Sequence, residues 1–214
     1  MLTDPPYLGL TGGFTSTHAR AARVQHATTT VGDPWGANLD WVPKAWRVAR
    51  LGMMVFCSHH GVAEVAQTVP AAQRVALITW YRPNSSPGPA NAPRFVSEFV
   101  WCFRKAPGLT WRNLQTVIEV PFLQAGCMAT ERILMLGSGK AAHPTQKPLA
   151  LMHRLLSVGA ETILDPFAGT GTTLVAAAVE GRKAIGIELD EGYCRIAVER
   201  LQAIQPHLDG LRNI

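Results

Sequence analysis

Hydrophobic positions along this chain fall into short unbroken runs and helically spaced stripes, and the two alternate. Gly52-Met53-Met54-Val55-Phe56-Cys57 reads as a buried strand. Residues 76–81 and 95–103 read as two more, and the proline-rich stretch 82–94 between them reads as a loop. Thr162-Ile163-Leu164 is a β-branched strand, and Ala184-Ile185-Gly186-Ile187-Glu188 a second buried one that ends in an acid. Helical spacing appears over 37–51, where Leu39, Val42, Ala45, Trp46 and Ala49 share a face and Pro43 marks the first turn. It returns at Leu149, Met152, Leu155 and Leu156, then at Thr173 to Ala178. It appears last over 191–204, where Tyr193, Ile196, Ala197, Leu201 and Ile204 form a stripe. Residues 8–35 pattern as a long loop and 104–140 as an irregular insertion. Strands alternating with helices predict an α/β protein.

A chain of 214 residues suits one such domain. Charged residues make up 16%, below the usual level of about 25%, which leaves apolar surface for a partner, a second copy included. The net charge of +5 admits nucleic acid as a partner without requiring it. The four cysteines form no CxxC pair, so neither a zinc site nor a disulfide framework is expected, and scattered thiols fit a reducing cytoplasm. No apolar run approaches the ~18 residues of a membrane span, and the start of the chain carries Asp4 and two prolines in place of a basic-apolar leader. His59 and His60 lack a third ligand at metal spacing, so no metal is expected there.

Chemistry concentrates in Leu164-Asp165-Pro166-Phe167-Ala168-Gly169-Thr170-Gly171-Thr172-Thr173. A strand, a glycine turn and a helix follow one another, the layout in which a backbone approaches a ligand closely and the free N–H groups of a helix start face it. Glu188 stands about 20 residues on, the distance of an acid that accepts from ribose hydroxyls. Leu174 occupies the place of the third glycine of a dinucleotide fingerprint, which counts against an NAD-dependent oxidoreductase. Leu136-Gly137-Ser138-Gly139-Lys140 imitates a P-loop but lacks its first glycine and its terminal Ser or Thr, so an NTPase is rejected.

A second candidate lies at the start. In Asp4-Pro5-Pro6-Tyr7 two prolines keep the backbone extended and remove two donors. A carboxylate and a carbonyl then stand side by side, able to accept from an amino group, with a ring nearby to stack on a flat base. The plain alternative is a polyproline-like turn.

Three motifs in order carry a resemblance: Thr3-Asp4-Pro5-Pro6-Tyr7, His143-Pro144-Thr145-Gln146-Lys147-Pro148, and Asp165-Pro166-Phe167-Ala168-Gly169-Thr170-Gly171 with Glu188. Together the chain resembles the β-group DNA amino-methyltransferases, the N6-adenine and N4-cytosine enzymes that use S-adenosylmethionine. Gly12-Gly13-Phe14-Thr15-Ser16 and the 101–105 region are similar to phage and prophage members. The resemblance implies a Rossmann-like methyltransferase fold: a mixed, mostly parallel sheet with helices on both faces, in permuted order. One domain would span 1–214, with the catalytic half at about 1–103, the insertion at about 104–140 and the cofactor half at about 141–214.

The resemblance also implies roles. Asp165, Phe167, Gly169, Gly171 and Thr172 would border the cofactor, Glu188 would take its ribose hydroxyls, and Thr145 and Lys147 would close over its methionine end. Asp4, Pro5, Pro6 and Tyr7 would hold a base flipped out of DNA. Asp before Pro5 favours adenine N6 over cytosine N4. Neither a restriction partner nor a recognition sequence can be read from these motifs. The chain departs from the family in one respect. The family's Asp-Pro-Pro-Tyr ends a buried strand with a longer lead that includes a Gly-Asp, whereas three residues precede Asp4 here. Weakened cofactor binding is therefore expected, and a remnant that binds cofactor or DNA without turnover is the rival reading.

Overall fold

The computed structural model describes residues 1–6, 39–85, 93–122 and 146–212, of which 205–212 by backbone alone. Seven strands and five α-helices lie among them, named in chain order, with a 3-10 turn at Ala71–Gln73. They are β1 (Leu2–Thr3), α1 (Trp41–Val48), β2 (Gly52–Cys57), α2 (Val62–Gln67), β3 (Arg74–Tyr81), β4 (Ser97–Arg104), β5 (Val117–Glu119), α3 (Leu149–Leu155), β6 (Thr162–Asp165), α4 (Thr172–Val179), β7 (Lys183–Gly186) and α5 (Glu191–Arg212). Tyr7, the Gly12–Ser16 loop, the 136–140 decoy, His143, Pro144 and Thr145 lie outside the described residues.

Five strands form a sheet in the order β1-β2-β4-β3-β5, and β6 and β7 form a pair of their own. Three of the pairings (β1–β2, β3–β5 and β6–β7) are parallel, whereas β4 runs antiparallel to both β2 and β3. The five-stranded sheet is thus mixed, with two parallel and two antiparallel pairings in place of the mostly parallel sheet expected, and the separate β6–β7 pair is parallel. β2 is buried along its whole length because both its faces are covered. Its side chains alternate between two cores, as a period of two requires. Met53, Val55 and Cys57 pack with Trp41, Val42 and Ala45 of α1 and Val65 of α2. Met54 and Phe56 pack with Leu151, Met152 and Leu155 of α3 and Ala176 and Ala177 of α4. Helices therefore cover both faces. Pro43 stands in the first turn of α1, where its missing N–H costs no hydrogen bond.

α4 is small and apolar nearly all round, Thr-Thr-Leu-Val-Ala-Ala-Ala-Val, and accordingly its first six residues are buried. Its neighbours are α3, α5, β6 and β7. The first strand is reduced to two residues, yet both are buried, and the Met1 amino group donates to the Gly52 carbonyl at 3.1 Å.

Two expectations change. Where the pattern predicts only irregular chain after 104, Val117–Glu119 forms a strand parallel to β3, and Trp111 bridges to Val158. Three residues are too few to show a period, and Val117 and Glu119 are exposed. The β7 strand is not buried. Ile185 is 55% exposed and Ile187 57%. β7 pairs only with β6, and among the described residues no strand covers its other edge. A continuous apolar run cannot report whether a neighbour is present.

Candidate functional site

The carboxyl ends of β1 and β6 meet. Thr3, fully buried, donates from Oγ1 to Asp165 Oδ1 at 2.7 Å across 162 residues of sequence. The strand ends that carry the two sequence motifs are thereby joined side by side. Asp165 also accepts from the Phe167 N–H at 3.1 Å, which fixes the turn that follows. Burial pushes the Asp165 carboxyl up to about 6, against the opposing effect of hydrogen bonds from Thr173, Thr3 and the Phe167 backbone.

Beyond Asp165 the chain turns through two left-handed glycines, Gly169 with φ 52° and Gly171 with φ 80°. Gly171 is the residue before α4, and a Cβ there would lie 2.7 Å from the Ala197 Cβ. Only glycine meets both the backbone angle and the close approach of α5. Glu188, half-buried, accepts from the Gly169 N–H at 2.7 Å through one oxygen and from the Leu189 and Asp190 N–H groups through the other. It ties the glycine turn to the end of β7. Arg200 of α5 donates to the Thr170 carbonyl at 2.6 Å and to Thr172 Oγ1 at 3.1 Å, holding the turn from the other side. Phe167 packs edge-on against Trp41 of α1, ring centroids 5.0 Å apart.

A charged row crosses the floor of the site. Lys147 Nζ lies 2.7 Å from Asp4 Oδ2 and 3.2 Å from Glu98 Oε2, and Arg82 lies 2.7 Å from Glu98 Oε1. Burial works to lower the Lys147 pKa, but the Asp4 and Glu98 carboxylates outweigh it, and the ammonium is held above its ordinary value. The Lys147 ammonium also sits over the Phe56 ring, 5.2 Å from its centroid.

Asp4, Lys147, Asp165, Phe167, Gly169 and Thr172 line one cleft, together with Gln146, Met152, Ala168, Thr170 and Thr173. Gly171 and Glu188 are not among its lining residues, although both adjoin them, Gly171 in the chain and Glu188 through Gly169. Pro5 is buried and Pro6 exposed, and Tyr7 and Thr145 lie outside the described residues. The His59 and His60 rings touch at a tilt of 42°, and His59 stacks on Phe95. Among the described residues no three His, Cys, Asp or Glu side chains gather as a metal site would need. No described helix is long and apolar enough to cross a membrane.

Sequence reasoning missed Thr3, Arg82, Glu98, Thr173 and Arg200. For Glu98 a signal existed. It shares a strand face with Val100 and Cys102, both buried, and a carboxylate on a buried face demands a cationic partner. Thr3 and Arg200 find their partners far along the chain, whereas Thr173 and Arg82 bond to Asp165 and Glu98 on adjacent elements, where their residue type alone gives no signal.

A family model described as DNA methylase matches residues 53–199. The chain belongs to the N6/N4 DNA methylase family. These enzymes move a methyl group from S-adenosylmethionine to an amino group of adenine or cytosine in DNA. The chain is 26% identical to the type II methyltransferase M2.MboI of Moraxella bovis over 223 residues, which cover 97% of this chain and 82% of that protein. It is 43% identical to M.HinfI of Haemophilus influenzae over a shorter stretch of 84 residues, 38% of this chain and 23% of that protein. Among solved structures, the M1.HpyAVI–SAM complex superposes with a TM-score of 0.61 at 23% identity, covering 93% of this chain and 86% of the other. The cytosine-N4-specific PvuII DNA methyltransferase gives 0.55 at 16% identity, covering 70% and 63%. At these identities the superpositions establish the methyltransferase fold.

The cleft suits the family cofactor chemically. It combines the buried Asp165 carboxylate, the partly exposed Asp4 carboxylate, the buried Lys147 ammonium and backbone left open at Gly169, a set of polar groups for a ligand that bears an ammonium, a carboxylate and a hydroxylated sugar.

Proposed function

We propose that this methylase acts on the N6 amine of adenine, in a single domain whose catalytic half comes first in sequence, and that it works in the cytoplasm. The observation that carries the reading is the junction of the two motifs: Thr3 bonded to Asp165, and Lys147 2.7 Å from Asp4 in the same cleft.

In this reading Asp165, Phe167, Gly169, Gly171 and Thr172 border the cofactor. Glu188 takes ribose hydroxyls with lone pairs left after its three backbone bonds, since a carboxylate offers about four acceptor sites. Thr145 and Lys147 close over the methionine end, and Asp4, Pro5, Pro6 and Tyr7 hold the flipped base. Bound S-adenosylmethionine supplies an electrophilic methyl group.

The residues then act by position and charge. An exocyclic amine is a poor nucleophile because its lone pair is spread into the ring. Asp4 accepts one amine hydrogen and the Pro5 carbonyl the other, which favours a pyramidal nitrogen with its lone pair free. Lys147 places a positive charge 2.7 Å from that carboxylate, which favours its charged form. As the nitrogen takes the methyl carbon, the carbon–sulfur bond of the donor would break with its electron pair left on a neutral thioether; the nitrogen becomes positive, the Asp4 charge stabilises it there, and the surplus proton leaves to solvent. Alignment of the two reacting groups supplies the rest of the acceleration.

The test is methyl transfer to unmethylated mixed-sequence DNA, followed by digestion and mass spectrometry of the nucleosides. N6-methyladenine that disappears in Asp4→Ala is the expected result. N4-methylcytosine in its place would overturn the choice of base. No methylated nucleoside from folded protein would overturn the assignment of turnover and favour a cofactor- or DNA-binding remnant.

A further inference from the structure

We propose that Glu98 is a positioning residue for methyl transfer: it holds the Lys147 ammonium against the Asp4 carboxylate, and Arg82 in turn holds Glu98. The proposal rests on the reading of Asp4 as the residue that holds the target amine.

Glu98 lies on β4 opposite Trp80 of β3, on the face that carries Val100 and Cys102 into the core. Its side chain is 13% exposed and that of Lys147 is 5% exposed. One Glu98 oxygen meets Lys147 at 3.2 Å and the other meets Arg82 at 2.7 Å, so neither can turn away without breaking an ion pair. Arg82 is itself fixed, its guanidinium 5.5 Å from the Trp80 centroid and 5.7 Å from that of Phe122. The result is an alternating row of Asp4, Lys147, Glu98 and Arg82 anchored at one end by aromatic rings.

Such a row is a poor device for stability alone. Apolar side chains of similar volume often stabilise a core as well as a buried ion pair or better. What the row does provide is position. A lysine has a long flexible stem, and a single carboxylate partner leaves its ammonium free to swing. Two carboxylates on opposite sides pin it, and the pinned ammonium fixes the rotamer of Asp4. The same contact sets the cleft wall at Gln146 and Lys147 against the sheet.

Among the described residues, the charged groups paired with Lys147 are Asp4 from the end of β1 and Glu98 from β4, with Arg82 paired in turn to Glu98 and Asp165 of β6 near enough to Asp4 to feel its charge. Neutralising Glu98 removes one of the two charges that hold the Lys147 proton.

The experiment uses the whole chain. Wild type, Glu98→Gln and Glu98→Asp are labelled with trace acetic anhydride at pH 8.5, and Lys147 is compared with exposed Lys183 by peptide mass spectrometry. In Glu98→Gln, Lys147 labelling is expected to rise about fivefold or more, as a fall in its proton affinity requires. In the methyl-transfer assay kcat is expected to fall about tenfold or more with KM for S-adenosylmethionine within about threefold. The alkaline limb of kcat moves to lower pH. Glu98→Asp keeps the charge but retracts it, and it carries the same test if the glutamine variant does not fold, with faster labelling and a kcat loss of about threefold expected. Unchanged Lys147 labelling overturns the proposal, as does unchanged kcat in a variant whose Lys147 is labelled faster. A wild-type chain that makes no methylated base overturns the proposed function and this proposal with it, whereas unchanged Lys147 labelling in Glu98→Gln beside an active wild type overturns this proposal alone.

Discussion

Replacing Asp165 by asparagine should stabilise the ligand-free protein at alkaline pH while impairing its use. Burial raises the Asp165 carboxyl from a usual value of 3.8 to about 6. The folded state therefore binds that proton more tightly than the unfolded chain. Stability is at its full value below the unfolded pKa, declines as pH rises between the two values, and stays reduced above the folded one. The difference is worth about 3 kcal/mol. Asparagine imitates the protonated form. Its oxygen can still accept from Thr3 and the Phe167 N–H, and its amide can donate to the Thr173 hydroxyl. We expect Asp165→Asn to be more stable than wild type by about 1–3 kcal/mol at pH 8, a rise in Tm of roughly 3–9 °C for a chain of this size, and nearly equal to it at pH 4. Urea unfolding followed by circular dichroism at both pH values measures this, and calorimetry with S-adenosylmethionine should show weakened binding. A variant less stable than wild type at pH 8, or a gain of the same size at both pH values, would refute the reasoning, because the cost of burying this charge would then not be what the stability records.

Three other outcomes follow from the same geometry. Lys147→Met leaves Asp4 and Glu98 facing each other without their shared cation, so chemical denaturation should show a loss of about 3–5 kcal/mol and methyl transfer should fall to background. Gly171→Ala combines φ 80° with a Cβ 2.7 Å from Ala197, so a loss of about 1–3 kcal/mol is expected by thermal unfolding, and adding Ala197→Gly should restore the steric part alone. Glu188→Gln weakens the charge-assisted bond to the Gly169 N–H, and the dissociation constant for S-adenosylmethionine should rise about tenfold in calorimetry.

The glycine turn was legible because its chemistry is local. Two glycines, a preceding β-branched strand and a following run of helix formers constrain one another over a few residues, and the observed β6, turn and α4 follow that pattern. β2 was legible for the same reason, as an apolar run bounded by clear breaks. The resemblance drawn from three short motifs pointed to the family that the model over 53–199 establishes. Glu98 was half legible: its place on a buried strand face demanded a cation, but nothing near it in sequence said which.

What the sequence determined by itself was the alphabet of the site: a carboxylate before two prolines, a lysine before a proline and a helix, and a carboxylate before a glycine turn. Tertiary structure decided how these are joined. It set Thr3 against Asp165, put Lys147 between Asp4 and Glu98, and turned Glu188 onto Gly169. The division has a physical cause. Backbone preference and hydrophobic period act between neighbours in the chain, so they are written in short stretches. Choice of ion-pair partner, strand order and burial depends on which distant segments pack together, and that is settled only when the whole core closes.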